Sequence, residues 1–328
     1  MAEDAIPVSY EDLALLEEQF EEVDVEILRK QYGLTKELYA KRAEAAAKIP
    51  NFWPLVIEQS PLEVDQYIQP NDSRIFVESL ESIDVIRHEL DNNSNGSPRS
   101  FTLKFTFKPN DEFEETVLEK KFDYRRARDG ATGLVSEPVK ITWKEGKDLT
   151  EGLTDGAWAL FEARKKKGDM TAKDIPEYDA LKEKTEHWNG ANTSFFTFFG
   201  WVSTRRWVSA EESANANEEW AARQAARKRG EKVDVPEEES EEEDDSDVEV
   251  HESGEDLAIS FADDIWPNAI KFFTMSQEIE EMSDMEFEDG DDEDDDDDEG
   301  EPVDIRALVG KGRKRDSDIG PSSKKQKN

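Results

Sequence analysis

An apolar stripe near the start of the chain limits the folds that are open to it. Its members recur at every third or fourth position: Leu13, Leu16, Phe20, Val23, Ile27, Leu34 and Leu38. Lys30 is the one polar interruption. This spacing places the stripe on one face of an α-helix, and Pro50 ends the pattern. The sequence therefore predicts one helix from about Tyr10 to Lys48.

A helix of about 38 residues is about 57 Å long, because each residue adds 1.5 Å. A rod of that length cannot bury its stripe against one small domain. The stripe of a second copy of the chain would cover it along its whole length, so the stripe residues are predicted to be dimer contacts. The alternative is a helix that lies along its own domain, kinked at Gly33.

Further along the chain, the apolar period changes to two, which is typical of β-strands with one polar face. Four segments have this alternation: 82–90, 101–108, 118–124 and 139–144. The first slips its alternation at Val85 and Ile86, which indicates a bulge. The predicted fold class is α+β: the long helix, then a domain in which a four-stranded antiparallel sheet covers helices.

The chain is divided by composition. Residues 1–48 are the predicted dimerisation helix, and residues 49–275 are the predicted α+β domain, with flexible insertions at about 152–190 and 208–256. A loop is expected up to Ser73, an aromatic core segment at 194–207, an Ala-rich helix at 209–229 and a short amphipathic helix at 259–273. Residues 276–328 are expected to be a disordered acidic tail with a basic C-terminus.

Two acidic runs carry most of the net charge of −39. Residues 237–256 hold 13 carboxylates and residues 278–301 hold 17, and neither run contains Lys or Arg. Such a polyanion repels nucleic-acid phosphates and attracts basic proteins, so we expect basic partners and no sequence-specific nucleic-acid binding. The alternative is that the runs only confer solubility.

The last residues reverse the sign of the charge. Two basic clusters resemble a nuclear import signal: Lys311, Arg313, Lys314, Arg315, Lys324 and Lys325. The alternative is a basic tail that folds back onto the acidic run. No stretch of 18 apolar residues occurs and the N-terminus lacks the pattern of a signal peptide. We therefore expect a soluble nuclear protein, with shuttling to the cytoplasm as an option.

The chain offers little for catalysis. It has no cysteine, and its histidines are His88, His187 and His251, each expected to be structural or solvated. No phosphate-binding, nucleophile or zinc-protease motif occurs. Carboxylates in a solvated run keep ordinary pKa values and cannot act as tuned acids or bases. The prediction is a protein that is not an enzyme and needs no cofactor or metal.

Three serines have an acidic residue three positions downstream and lie in or beside the acidic runs. These candidate phosphorylation sites are Ser240, Ser246 and Ser283. Phosphorylation there would deepen an existing negative charge.

Seven motifs together resemble the nucleosome assembly protein family of histone chaperones, and the later ones resemble its SET-like branch. In chain order they are IPNFW at 49–53, ESIDV at 81–85, FTLKFTF at 101–107, VLEKKF at 117–122, ITWK at 141–144 followed by GKDLT at 146–150, SFFTF at 194–198 and DDIWPN at 263–268. They span most of residues 10–275 in the order found in the family.

The resemblance implies a homodimer joined by the long helices, each copy carrying an "earmuff" domain whose acidic underside binds core histones together with the tails. Carried over by position, the histone-binding candidates of the domain are Glu255, Asp256, Asp263 and Asp264. The acidic tail supplies the further candidates Asp291, Asp292, Glu293, Asp294 and Asp295. The first four could instead serve as helix caps. In the same motif region, Ile265, Trp266, Ile270 and Phe273 are expected in the core.

The chain departs from the family pattern in two places. Residues 152–190 are long for a loop, and the basic helix that ends at Arg229 is longer than expected. The cations of that helix could contact DNA, bind an acidic tail or lie in solvent: Arg223, Arg227, Lys228 and Arg229.

The resulting hypothesis is a nuclear histone chaperone that binds H3–H4 or H2A–H2B, shields their charge and promotes nucleosome assembly and disassembly. The second hypothesis is an acidic regulator of a partner enzyme, either a phosphatase inhibitor or a stimulator of a histone acetyltransferase. A third is a carrier of ribosomal or other basic cargo, which would use the same electrostatics.

Overall fold

In a computed structural model, the described part of the chain comprises residues 10–93, 96–187, 193–229, 231 and 247–287. It begins with helix α1, Tyr10–Ala46, which the stripe predicts and which runs through Gly33 without interruption. Asn51 adopts a left-handed backbone conformation with φ 55°. The chain turns there into helix α2, Phe52–Glu58, whose apolar side chains are buried.

Four strands form one antiparallel sheet in chain order, which confirms the predicted α+β class. They are β1 Leu80–Ile86, β2 Phe101–Phe107, β3 Val117–Arg126 and β4 Thr132–Ser136. Ile83 of β1 lies opposite Phe105 of β2, and Phe105 lies opposite Leu118 of β3. Because successive side chains alternate between faces, this register aligns the apolar residues of the three strands on one face.

The predicted fourth strand, 139–144, is wrong. Its residues form only an isolated bridge, between Trp143 and Phe113. Val139 N donates to Phe199 O at 2.8 Å, and Ile141 is buried, so the alternation arises from packing of an irregular segment. The actual strand β4 has five residues with a glycine among them, too few to show a period of two.

The first strand was also predicted with incorrect bounds. β1 ends at Ile86, and the chain continues into a short helix, so the expected strand up to residue 90 is wrong. The irregularity in the pairing of β1 lies between Leu80 and Ser82 and not at Val85.

Eight further helices follow α2 within the described residues. They are α3 Leu62–Asp65, α4 Pro70–Ser79, α5 His88–Asn92, α6 Leu153–Lys167, α7 Pro176–His187, α8 Ala210–Lys228, α9 Gly254–Ile259 and α10 Ala269–Phe287. Helix α4 occupies part of the expected loop before Ser73. It forms because Gln69 and Asp72 make a capping box and Pro70 stands at its first position.

The main core lies between the inner face of the sheet and two helical segments. One is a 3₁₀ helix, Phe195–Gly200, hereafter the aromatic turn; the other is a π-helix, Ser260–Ile265. Phe195 and Phe261 both pack against Phe105 of β2, with ring centres 5.7 and 5.6 Å apart. The aromatic segment was expected in the core, and it is there.

One charged side chain belongs to this core. Lys120 points inward from β3, is fully buried, and donates to three backbone carbonyl oxygens. The Nζ–O distances are 3.2 Å to Glu137, 3.2 Å to Phe199 and 2.7 Å to Trp201. These bonds tie β3 to the aromatic turn.

The expected flexible insertion at 152–190 contains ordered helices in its described residues. Helices α6 and α7 bury Leu153, Leu160 and Leu181 in a second apolar cluster, which also takes in Val250. Gly156 lets the two helices approach, because a Cβ there would lie 2.9 Å from Leu181 Cδ1. This stretch is therefore a packed helical pair.

The boundary expected at residue 276 falls inside helix α10, which continues to Phe287. Ile265 and Trp266 are buried as expected, and Phe273 packs partly buried against Phe52. Ile270 was expected in the core but is 60% exposed. It lies on the solvent side of α10, whereas Phe272 faces the core.

Candidate functional site

The predicted dimer contacts form an exposed apolar stripe along α1. Leu16 is the least exposed, at 50%, and Leu34 the most exposed, at 79%. Seven large apolar side chains in one row of a helix, interrupted only at Lys30, leave a surface that water solvates poorly. The structure of a single chain thus leaves this face of α1 uncovered.

Another face of α1 lies along its own domain. Its contacts, from the middle of α1 towards its end, are the bond from Arg29 to Gly96 O, the ion pair Lys36–Asp91, and the packing of Tyr39 and Arg42 on Trp266. The two interpretations of the long helix therefore apply to different faces. One face is attached to the domain, and the other is available to a second copy.

The DDIWPN motif joins α1 to the sheet. Trp266 Nε1 donates to Ile83 O of β1 at 2.9 Å. The Arg42 guanidinium lies 4.5 Å from the Trp266 ring centre and donates to the carbonyl oxygens of Trp266 and Pro267. Burial lowers the pKa of Arg42, and these carbonyls at the end of the π-helix favour its positive charge.

Glu255, a histone-binding candidate, is occupied within the fold. Its Oε1 accepts a bond from Leu134 N of β4 at 2.9 Å, and its Oε2 accepts one from Thr204 Oγ1 at 2.9 Å. Leu134 N belongs to the edge strand of the sheet, so the carboxylate satisfies a donor that would otherwise lack a partner. This geometry favours a structural role.

The other three candidates on this segment differ from one another. Asp263 forms an ion pair with Arg87, and Asp264 accepts from Asn268 Nδ2 at 2.8 Å. Asp256 is exposed and has no ion pair or side-chain hydrogen bond to any other described residue. Of the four, Asp256 is the carboxylate most available to a partner, while Asp263 is half exposed beside its arginine.

A segment within the first acidic run, residues 247–251, is bound to the domain; we name it the strap. Asp247 forms a two-bond ion pair with Arg164 of α6, at 2.6 and 2.9 Å. Trp201 Nε1 donates to Glu249 Oε1 at 2.9 Å. The expected flexible insertion at 208–256 therefore does not include the strap. The alternation of Val248 and Val250 with carboxylates is a weak sequence signal that could have indicated the strap.

The strap ends in a fully buried histidine, so of the two expected roles for His251, structural or solvated, the structure supports the structural one. Thr197 Oγ1 lies 2.9 Å from its Nδ1, and its ring packs on Tyr67 and Phe198. Burial lowers the pKa of His251 to about 3, and the nearby Lys120 adds to the fall. The imidazole is therefore neutral at neutral pH.

A buried carboxyl connects α4 to the aromatic turn. Asp72 accepts from Ser194 Oγ at 2.6 Å, Phe195 N at 2.8 Å and Gln69 N at 2.9 Å. Burial raises the pKa of Asp72 to about 6, although these three bonds favour the charged form. Asp72 thus holds structure together and does not face a site.

One cluster among the described residues has the spacing of metal ligands: His88, Glu89 and Asp123, whose ligand atoms lie within 4.8 Å of one another. Each is already engaged. His88 bonds to Thr102 and Asp123, Glu89 accepts from a backbone amide, and Lys121 and Arg125 flank Asp123. His88, Lys121 and Arg125 lower the pKa of Asp123 against the cost of burial, as expected of a structural ion-pair network.

Several predicted site residues lie outside the described residues. These are Asp291, Asp292, Glu293, Asp294, Asp295, Lys311, Arg313, Lys314, Arg315, Lys324, Lys325, Ser240 and Ser246. Ser283 falls in the last part of α10, where the structure describes the backbone alone. Among the described residues, none of the helices has the length and apolar character that a bilayer crossing requires.

Two relatives similar in sequence to this chain are both named after nucleosome assembly proteins. A Schizosaccharomyces pombe protein named as a nucleosome assembly protein is 30% identical over 286 residues, which covers 84% of this chain and 83% of that protein. NAP1-related protein 2 of Arabidopsis thaliana is 29% identical over 143 residues, or 44% of this chain and 51% of that protein.

Solved structures include two similar chains. A mutant of Ccp1 has a TM-score of 0.49 at 26% identity, over 84% of this chain and 97% of that one. Vps75 has a TM-score of 0.47 at 22% identity, over 81% and 96%. The family model for nucleosome assembly proteins matches residues 11–276, which include α1, the sheet and the DDIWPN motif. The chain belongs to the nucleosome assembly protein family.

Proposed function

We propose that this protein is a histone chaperone that binds core histones through its acidic surfaces and promotes nucleosome assembly and disassembly. The observation that carries the proposal is the family match over residues 11–276, in a chain with a net charge of −39. Core histones are strongly basic, so a flexible polyanion competes for the same cations that hold DNA phosphates. No covalent step or cofactor is needed for this action.

The proposed mechanism divides binding between two parts of the chain. The run at 278–301 brings 17 carboxylates, which increase the association rate and act over a distance set by salt. The folded domain adds contacts of fixed shape, for which Asp256 and Asp263 are the candidates that face solvent. Nuclear import through the basic C-terminus and phosphorylation of the acidic runs belong to the same proposal.

We also propose that the functional unit is a homodimer joined through α1. The exposed stripe from Leu13 to Leu38 supports this, because covering it removes seven large apolar side chains from water. Dimerisation would give each histone complex two acidic domains, and linked sites bind more tightly than single ones.

The test is a titration of H3–H4 and of H2A–H2B with the full chain at two salt concentrations. One variant replaces the nine carboxylates at 291–299 with their amides, and a second replaces Asp256 and Asp263 with Asn. We expect the first to weaken binding chiefly at low salt, since exposed charges are screened as salt rises. We expect the second to weaken binding at both salt concentrations.

Asp256→Asn alone is compared with its matched control Glu255→Gln, which removes one carboxylate charge at the next position, where the fold occupies the side chain. A histone affinity that is unaffected by both test variants would contradict the chaperone proposal. A partner enzyme, either a phosphatase or a histone acetyltransferase, would then be the next candidate partner.

A further inference from the structure

The basic helix that departs from the family pattern has one end fixed on the sheet. Ser213 Oγ of α8 accepts from Arg126 N of β3 at 3.0 Å, and Asn217 Oδ1 accepts from Arg126 Nε at 3.1 Å. The Arg126 guanidinium lies 4.6 Å from the ring centre of Trp220, within the range of a cation–π interaction. The first half of α8 is thus attached to the end of β3.

The second half of α8 contacts α1. Gln224 Nε2 donates to Glu18 Oε1, and the Arg227 guanidinium lies 3.9 Å from the same oxygen. The side chains of Arg227 and Glu18 are only 21% and 24% exposed, so solvent screens this pair less than a pair at the open surface. Between Ser213 and Arg227, α8 spans about 21 Å at 1.5 Å per residue.

The contact falls in the N-terminal half of α1, where the described side chains make few other attachments to the domain. The C-terminal half of α1 is packed on the domain through Tyr39 and Arg42, and Ala46 is buried. In the N-terminal half, Glu21 lies 3.8 Å from Arg99, and the apolar stripe points into solvent. The described apolar side chains of this half are exposed or only partly buried, so its position depends more on such polar contacts.

We propose that α8 is a strut that holds the N-terminal half of α1 against the domain. It bears on β3 at one end and on Glu18 at the other, so that α1 is attached at two separated places. The strut fixes the direction in which the stripe is presented to a second copy. This last point rests on the proposed dimer, whereas the strut itself is a property of a single chain.

The proposal gives a role to charges that sequence analysis left open. Arg227 contacts α1, whereas Arg229 pairs with Glu231 beyond the end of the helix. Gln224 is 7% exposed, and its replacement by Glu keeps the shape but places a second carboxylate against Glu18. Two carboxylates at that distance repel each other.

The experiment measures the distance between α1 and the domain within one chain. Because the full chain contains no cysteine, Glu22→Cys on α1 and Glu145→Cys on the domain introduce two spin labels at exposed positions. Labelled chains are diluted into unlabelled chains so that only distances within a chain are recorded. We expect Arg227→Glu to about double the width of the distance distribution, since an unbraced segment samples more orientations.

Arg229→Glu is the matched control, because it makes the same charge change two residues away and should leave the width unchanged. Restoring the pair in reverse, with Glu18→Arg added to Arg227→Glu, should narrow the distribution again. If Arg227→Glu loses helical circular dichroism, Gln224→Glu takes its place.

An unchanged width in both Arg227→Glu and Gln224→Glu would overturn the strut, as would equal broadening by Arg229→Glu. Failure of the dimer proposal would look different. Sedimentation would then give a single chain, while the distances within that chain would still report on the strut.

Discussion

Lys120 shows how a single charged residue can be part of an apolar core. Its ammonium is removed from water, which lowers its pKa well below the ordinary lysine value. The carbonyl oxygens of Glu137, Phe199 and Trp201 replace water as acceptors for all three of its N–H groups. Loss of the lysine would leave these carbonyls buried without that donor.

We predict that Lys120→Met lowers the free energy of unfolding by about 2–4 kcal/mol, because unpaired buried polar groups are costly. The measurement is urea unfolding followed by tryptophan fluorescence. Lys121→Met is the control: Lys121 points to the opposite face, is 57% exposed and pairs with Asp123. Its replacement should cost less than about 1 kcal/mol, and equal effects of the two variants would contradict the prediction.

The low pKa of His251 predicts that its contribution to the stability of the folded protein is lost in acid. Its pKa in the folded protein is about 3, below the ordinary value of 6.5, so between these values the unfolded chain binds a proton that the folded chain does not. The contribution of His251 to stability is therefore lost as pH falls through this window. Between pH 7.5 and pH 5 this contribution should fall by about 2 kcal/mol, whereas Asp72 and Glu249, whose pKa values burial raises to about 6 and about 7, contribute in the opposite direction.

His251→Phe keeps an aromatic ring beside Tyr67 and Phe198 and removes the titration. Relative to its value at pH 7.5, the free energy of unfolding of this variant at pH 5 should be about 2 kcal/mol higher than that of the original chain. Urea unfolding at both pH values measures the difference. Parallel changes in the two proteins would show that His251 does not control the effect.

At the scale of elements, the periodicity of apolar residues predicted the helices and strands in which polar and apolar positions recur at regular intervals. Helix α1 and strand β2 are of this kind, and their predicted bounds lie within two residues of the observed ones. The segment 139–144 has the same alternation but lacks a neighbouring strand, and pairing cannot be seen in the sequence of one segment. The strap was hidden because its two valines stand among carboxylates.

The stripe on α1 is symmetric about position 25, which suits two helices that pair antiparallel around a two-fold axis. The residues that would pair are Leu13 with Leu38, Leu16 with Leu34, and Val23 with Ile27. In this arrangement Lys30 of one copy lies opposite Phe20 of the other. The one polar residue of the stripe would then reduce the apolar contact at two equivalent places.

We therefore predict that Lys30→Leu lowers the dissociation constant of the proposed dimer. Each 1.4 kcal/mol of added binding free energy lowers that constant about tenfold. Gln31→Leu is the control, since it adds the same side chain at the next exposed position of the helix, off the stripe. Analytical ultracentrifugation at several concentrations measures both. A stronger effect of Gln31→Leu would place the contact on another face of α1.

At the scale of the whole molecule, the negative net charge affects the stability of the folded state. Thirteen and seventeen carboxylates in two runs repel one another and the acidic domain, which opposes the compact state at low salt. Raising salt from about 0.05 M to about 0.5 M shortens the range of this repulsion several-fold. We predict that the melting temperature rises over this interval.

A full chain with the nine carboxylates at 291–299 replaced by their amides should show a smaller rise in melting temperature. Thermal unfolding followed by circular dichroism at the two salt concentrations measures the effect. If the rise is the same in both proteins, the repulsion resides in the folded domain and not in the run.

The candidate site was predictable only in part. Family motifs and the stripe pointed to α1 and to the DDIWPN segment, but they could not tell which carboxylates are free. The partner of Glu255 is 121 residues away in the sequence, and that of Asp263 is 176 residues away. Such pairings follow from the tertiary fold, so only the structure separates Asp256 from its occupied neighbours.

The burial of Lys120 has a consequence for chemical labelling. Amine-reactive reagents modify lysines that solvent reaches, and Lys120 becomes reachable only when β3 separates from the aromatic turn. Its rate of modification therefore measures how often the core opens. Lys121, one residue away, is modified in the closed protein and gives the reference rate for an exposed lysine. A single peptide from β3 would thus report both surface reactivity and whole-domain opening.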